Sequence, residues 1–200
     1  GKSTLVTALA VAAAQAGEKV LALDLDPQGT LAAWAGIRQK GGPDVAQLPA
    51  NQTGNLSAVL AKATERYSVA FLDTAGADSP ATHNAMSAAD LCLVPLRPST
   101  LDGLALKPTV EALIRGKRSF AFVLNQCSTN PRENRAAEMA AGLSALGLLA
   151  EPKICLRADF QDAFSSGQGV TEYAPDGKAA AEVRHMWGWI DRATKKEEAA

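Results

Sequence analysis

Four short runs in this chain are apolar almost end to end and stop at an acid or a turn-forming residue: "VLALDLD" at 20–26, "VAFLD" at 69–73, "LCLVP" at 91–95 and "FAFVLN" at 120–125. A strand with one wet face alternates apolar and polar residues. A run apolar throughout is buried on both faces, as in a parallel sheet covered by helices. "PKICLRAD" at 152–159 is a fifth, shorter case. Between the runs lie helical stretches at 4–16, ended by Gly17, and at 55–66, 81–89, 101–114, 132–146 and 176–193. This alternation predicts an α/β, doubly wound, mostly parallel sheet with helices on both faces. One domain over 1–193 suits the length. Residues 38–55 read as a mobile connection and 194–200 as a frayed polar tail.

In such sheets ligands bind in the crevice beyond the strand C-termini. Asp24, Asp26, Asp73, Pro95 and Asn125 all fall at those ends. The opening "GKST" has the form of the downstream half of a phosphate loop, G-x-x-x-x-G-K-[ST], running into a helix. There Gly1 and the helix-start N–H groups would hold phosphate oxygens. Lys2 would neutralise the β- and γ-phosphates, Ser3 would ligate Mg²⁺, and Thr4 would reach the α-phosphate. Asp73 closes a buried strand as the second acid of a Mg²⁺–nucleotide site does, against the plainer reading of an acid capping a turn. Gly76, in "DTAG", lets a backbone N–H approach the γ-phosphate. Asp24 and Asp26 flank Leu25, and strand alternation points both the same way. They fit either a cation or activated water held between them, or a solvated acidic turn. Asn125 fits either an adenine contact or a turn cap.

Together "GKST", "LDLDPQGTLAAW", "FLDTAG", "VPLRPSTLD", "VLNQC" and "LRADFQDAFSSGQGVTEYAPDGKAAAEV" resemble the ParA/MinD-type deviant Walker ATPases, most of all the small ParA/ParF partition branch. The resemblance runs from Gly1 to about Ile190. It implies a P-loop ATPase using ATP and Mg²⁺, with catalytic Lys2 and Asp26. Nucleotide-binding residues would be Gly1, Lys2, Ser3, Thr4, Gly76 and Asn125; metal-holding residues would be Ser3, Asp24 and Asp73. It implies an ATP-dependent homodimer, non-specific DNA binding, a ParB-like partner that stimulates hydrolysis, and a cytoplasmic, nucleoid-associated setting. The family's signature lysine and first strand would stand upstream of Gly1. The chain is therefore expected to be truncated at its N-terminus, with the first strand missing and ATPase activity weak or absent. The guanine-reading Asn/Thr-Lys-x-Asp pattern does not follow the fourth run, where the sequence is Asn125-Gln126-Cys127-Ser128.

Net charge is −1, so no global basic field announces nucleic acid. Local candidates for DNA contact are Arg115, Lys117 and Arg118; Arg132 and Arg135; and Arg184, Arg192, Lys195 and Lys196. Each set reads equally as a solvated helix face. The terminal "TKKEEAA" is polar and argues against membrane attachment. Val183, Met186, Trp187 and Ile190 recur at helical spacing as a docking face. Three widely spaced cysteines read as reduced thiols, Cys92 and Cys155 in strands and Cys127 in a loop. His83 and His185 carry no motif. Other functions on the same fold are a dethiobiotin-synthetase-like ligase, a positioning ATPase for another cargo, and a non-hydrolysing interaction fragment.

Overall fold

The computed structural model describes residues 1–76 and 79–198, without the side chains of 196–198. Element order is α1 (Lys2–Gln15), β1 (Val20–Asp24), α2 (Thr30–Ile37), β2 (Asp44–Gln47), a 3₁₀ turn (Ala50–Asn55) and α3 (Leu56–Ala63). Then come β3 (Val69–Asp73), α4 (Pro80–Ala88), β4 (Cys92–Leu96), α5 (Thr100–Ala105), α6 (Lys107–Arg115) and β5 (Phe120–Leu124). The chain ends with α7 (Arg135–Ser144), β6 (Leu148–Leu149), α8 (Ala158–Ser165), α9 (Val170–Tyr173) and α10 (Lys178–Glu198).

All strand pairs among the described residues are parallel. They form two three-stranded sheets, β2-β1-β3 and β4-β5-β6, rather than one continuous ladder. β3 and β4 each hydrogen-bond a neighbour on one side only. The two sheets are joined through side chains: Val20 and Ala22 of β1 and Ala121 and Val123 of β5 belong to one buried cluster with α1 and α10. Small residues make this possible, since Ala8, Ala10, Ala12 and Ala13 of α1 are buried where α1 meets its neighbours. The expected docking face of α10 is buried as read, with Val183, Met186, Trp187 and Ile190 all in the cluster. Trp187 packs against Phe71 with ring centroids 6.1 Å apart. Each large side chain buried this way contributes roughly 1.5–3 kcal/mol. On the other faces, Leu21 and Leu23 pack with Leu56 and Ala85, and Phe122 and Leu124 with Leu113 and Leu143. β1 and β5 are thus buried on both sides, as their unbroken apolar runs require.

The differences from the sequence reading have local causes. Residues 38–55 hold β2 and the 3₁₀ turn; β2 is an edge strand, mostly exposed, so its polar sequence hides it. The helix expected over 101–114 divides into α5 and α6 at Pro108, in the first turn of α6, because proline cannot donate to the preceding turn. The fifth apolar run is not a strand; it makes an isolated bridge, Cys127 to Cys155, and β6 takes the edge position instead. α10 continues through 194–198, read as frayed tail, with an Asp191–Lys195 pair at 2.7 Å supporting its last turns. Residues 199–200 of that tail and the Lys196 side chain lie outside the described residues.

One buried ion pair fastens α2 to α9. The Arg38 guanidinium forks onto Glu172 at 2.8 and 2.9 Å, donates to the Gly167 carbonyl at 3.0 Å, and stacks 5.1 Å from the Trp34 ring centroid. Gly167 adopts φ +65, and a Cβ there would stand 2.7 Å from the Arg38 nitrogen, so only glycine fits this crossing.

Candidate functional site

α1 starts at Lys2 with Gly1 as N-cap, with no capping side chain and no acid in its first turn. Its leading N–H groups therefore keep their partial positive charge for an anion. The Lys2 ammonium lies over the chain just past β3: a Cβ on Gly76 would stand 3.1 Å from Lys2 Nζ. Glycine at 76 is what allows that approach. Thr4 stands in the same first turn, its carbonyl accepting the Thr7 hydroxyl at 3.0 Å.

Asp24 and Asp73 end the neighbouring strands β1 and β3 in register, and both are buried. Their surroundings differ. Asp24 is engaged by backbone: Oδ1 accepts the Asp26 N–H at 3.0 Å and Oδ2 the Ala32 N–H at 2.9 Å. It clamps the 25–29 loop onto the start of α2. The Ser3 hydroxyl lies near Asp73 and favours its ionised form, while Asp73 Oδ2 is buried without any partner among the described residues. Burial pushes the Asp73 carboxyl above its usual range, with Asp24 and Asp26 adding to the rise and Ser3 and Lys2 opposing it. Asp26 does not continue the strand, so the alternation argument for it fails. It sits in the turn after β1, where its Oδ1 accepts the Gln28 N–H at 2.9 Å. The turn still brings its charge to bear on Asp73.

Asn125 is buried just beyond β5 and accepts the Gln126 N–H at 2.9 Å. Its Nδ2 and Gln126 Nε2 each lie 3.4 Å from where a Cβ on Gly1 would stand. The end of β5 and the start of α1 are thus neighbours. Lys2, Ser3, Gly76, Asp73, Asp24 and Asp26 converge, and Gly1 with Asn125 adjoins them. Pro95 is not part of this group; it lies inside β4 opposite Val123.

Sequence reasoning missed Arg97 and Gln126. Ending the third run at Pro95 left it one residue short; extended to Leu96, it puts Arg97 at the strand end. Arg97 forks onto Asp102 at 2.9 and 3.0 Å, holding that carboxyl down at about 2, and its charge acts on the Gly1 nitrogen. Gln126 adopts φ +52, an unusual backbone for a non-glycine residue, and no sequence signal marks it.

Among the described residues no three His, Cys, Asp or Glu side chains converge to hold a metal by themselves. Ser3 and the orphaned Asp73 oxygen offer oxygen donors only. That suits a hard cation which keeps most of its waters and also binds phosphate, as Mg²⁺ does.

The basic candidates separate. Arg115, Lys117 and Arg118 lie at the end of α6 and the turn into β5, at the strand ends opposite the carboxylates. Arg132 precedes α7, and Arg135 opens it, pairing with Glu133 at 3.3 Å. Arg184 and Arg192, with Lys153 and His185, line a groove of about 760 Å³ beside α7 and α10. Among the described residues no helix is long and apolar enough to cross a membrane.

Residues 1–170 match the family model described as the CobQ/CobB/MinD/ParA nucleotide binding domain. The chain is 30% identical over 212 residues to Protein ParA of Rhizobium radiobacter, covering 98% of this chain and 91% of that one. It is 28% identical to the maintenance of carboxysome distribution protein A of Halothiobacillus neapolitanus, covering 91% and 86%. Its fold is similar to the septum site-determining protein MinD complexed with Mg-ADP from Pyrococcus horikoshii OT3, at TM-score 0.75 and 17% identity, covering 96% and 91%.

Proposed function

Because the chain belongs to the CobQ/CobB/MinD/ParA nucleotide-binding domain family, we propose that its strand-end crevice binds ATP with Mg²⁺ and hydrolyses it to ADP and phosphate. The observation that carries this reading is the buried, unpartnered Asp73 oxygen beside the Ser3 hydroxyl, under the Lys2 ammonium. Mg²⁺, when bound, screens the phosphate oxygens and fixes their geometry. The first-turn N–H groups of α1 cradle the phosphates, and Lys2 offsets charge on the β- and γ-groups. Ser3 and Asp73 hold the cation directly or through its waters. Asp26 accepts a hydrogen bond from the attacking water, and Asp24 fixes the loop that carries Asp26. Gly76 lets the backbone after β3 sense the γ-phosphate, and the Asn125 amide faces the adenine side.

At the level of biology we infer a DNA-partition ATPase. It works as an ATP-dependent homodimer in the cytoplasm, binds nucleoid DNA without sequence preference through Arg184 and Arg192, and is stimulated by a ParB-like partner. The relative named Protein ParA supports this reading. The relative named for carboxysome distribution supports a second one, positioning of another large cargo by the same switch.

The experiment is phosphate release by the purified protein with Mg-ATP, with and without DNA and a candidate partner. Mg²⁺-dependent release that rises with DNA plus partner is expected, and Lys2→Ala should lower it by about 100-fold or more. Release that requires a small-molecule acceptor, unchanged by DNA, would identify a ligase instead. Failure to bind nucleotide at all would overturn the site.

A further inference from the structure

Cys127 and Cys155 are the two partners of an isolated parallel β-bridge. The bridge is made by Cys127 N–H to the Ile154 carbonyl at 3.0 Å and Leu156 N–H to the Cys127 carbonyl at 2.8 Å. Paired residues on adjacent strands stand about 4.8 Å apart, inside the roughly 4.4–6.8 Å span of Cα atoms that a disulfide joins. Both side chains enter the same apolar cluster, so they leave the bridge on one face. Both thiols are free. They are near enough to interact: burial pushes the Cys127 thiol up to about 11, with Cys155 adding to the rise. Cys127 is fully enclosed, while Cys155 keeps 8% of its surface exposed beside the exposed Leu156. Cys127 also follows directly on Asn125 and Gln126, whose amides lie against Gly1.

We propose that Cys127 and Cys155 are a dithiol pair that low-molecular-weight disulfides oxidise, and that closing it locks the Asn125–Gln126 turn in place. The thiolate of Cys155 attacks one sulfur of the small disulfide, forming a mixed disulfide and releasing one thiol. Cys127 then attacks Cys155 Sγ and expels the second thiol. Two protein S–H bonds are lost, one S–S bond forms, and the small disulfide is reduced to two thiols. Oxidation pins the residue after Gln126 covalently to the 153–156 segment, so the turn can no longer shift relative to Gly1 when a ligand enters. This second step rests on the nucleotide reading of the site.

The test is intact-protein and peptide mass spectrometry after incubation with glutathione disulfide, alongside binding of a fluorescent ATP analogue. The expected product loses two hydrogens, yields a Cys127–Cys155 linked peptide, and binds the analogue about tenfold more weakly until reduced. Apart from any adduct on Cys92, the Cys127→Ala and Cys155→Ala variants should each take up at most one glutathione, on the remaining partner, and form no internal link. A wild-type protein that carries separate glutathione adducts on Cys127 and Cys155, or in which both stay unreacted, overturns the pair. A linked protein with unchanged affinity overturns the coupling. A linked protein that binds no nucleotide even when reduced upholds the pair and instead refutes the nucleotide reading.

Discussion

Replacing Asp73 by asparagine separates the two demands placed on that residue. In the free protein Asp73 is a buried carboxylate with one oxygen unpartnered and two further carboxylates acting on it. Its folded-state pKa is raised, so stability is fullest below the unfolded value and is lost as pH rises through the folded one. Asparagine keeps the shape and removes the charge that Asp24 and Asp26 repel. Asp73→Asn is therefore expected to melt higher than wild type at neutral pH without ligand, and to lose that advantage at acid pH. With Mg-ATP the order reverses. A ligand at 100 times its Kd stabilises by about 2.7 kcal/mol, or about 5–11 °C in Tm for a chain of this size. Wild type should show that shift and Asp73→Asn almost none. Asp24→Asn is the control, since its new amide cannot accept the Ala32 N–H; without ligand it should lose about 1–3 kcal/mol. Thermal melts over a pH series, with and without Mg-ATP, decide it. An Asp73→Asn protein that is less stable than wild type without ligand at neutral pH, or that keeps the full ligand shift, refutes the reasoning.

Two further outcomes concern the scaffold and the surface. Arg38→Met leaves Glu172 buried and unpaired and should cost about 3–5 kcal/mol in urea denaturation, most of it recovered in Arg38→Met/Glu172→Leu. Burial pushes the Glu172 carboxyl up, but Arg38 and the Gly169 N–H outweigh it and hold the group down. The stability from this pair is present above the unfolded pKa and lost as pH falls through the folded one, so the double variant should show less acid loss than wild type. Arg184→Glu/Arg192→Glu should weaken DNA binding by the ATP-bound protein and flatten the slope of log K against log salt by about 0.9 for each phosphate no longer neutralised. An unchanged slope would remove the groove beside α10 from the DNA interface.

Burial on two sides leaves no polar positions, and β1 and β5 bear this out, whereas β3 and β4, just as apolar, are mostly only half-buried because each lies at a sheet edge. β2 was not readable, because an edge strand with a mostly wet surface looks like a loop. Nor was the division into two sheets, since an apolar run marks a buried strand without saying which neighbours it hydrogen-bonds. In the site, residue types at strand ends located Asp24, Asp73 and Asn125. What each carboxylate does was hidden, since only the fold shows that backbone N–H groups occupy both oxygens of Asp24 and leave one of Asp73 bare.

The charges in the crevice explain why its acids and its lysine belong together. The Lys2 side chain brings positive charge to bear on Asp73, while the Arg97 guanidinium is held by Asp102. A phosphate group about 5 Å from an ionised Asp73 would be repelled by roughly 3 kcal/mol at an effective dielectric of about 20. Lys2 alone cannot offset three carboxylates and a polyphosphate. A divalent cation set between Asp73 and the phosphates converts that repulsion into attraction on both sides. On the proposed nucleotide reading, the acids would make binding of the triphosphate conditional on the metal, with the bare oxygen of Asp73 as the group that imposes it. A wholly basic crevice would not serve the same purpose: it would hold the phosphates tightly in every state and leave the γ-phosphate nothing to report. The approach of Lys2 to Gly76 matters for that reason: on the same reading, the lysine that would meet the γ-phosphate stands against the glycine that would sense it.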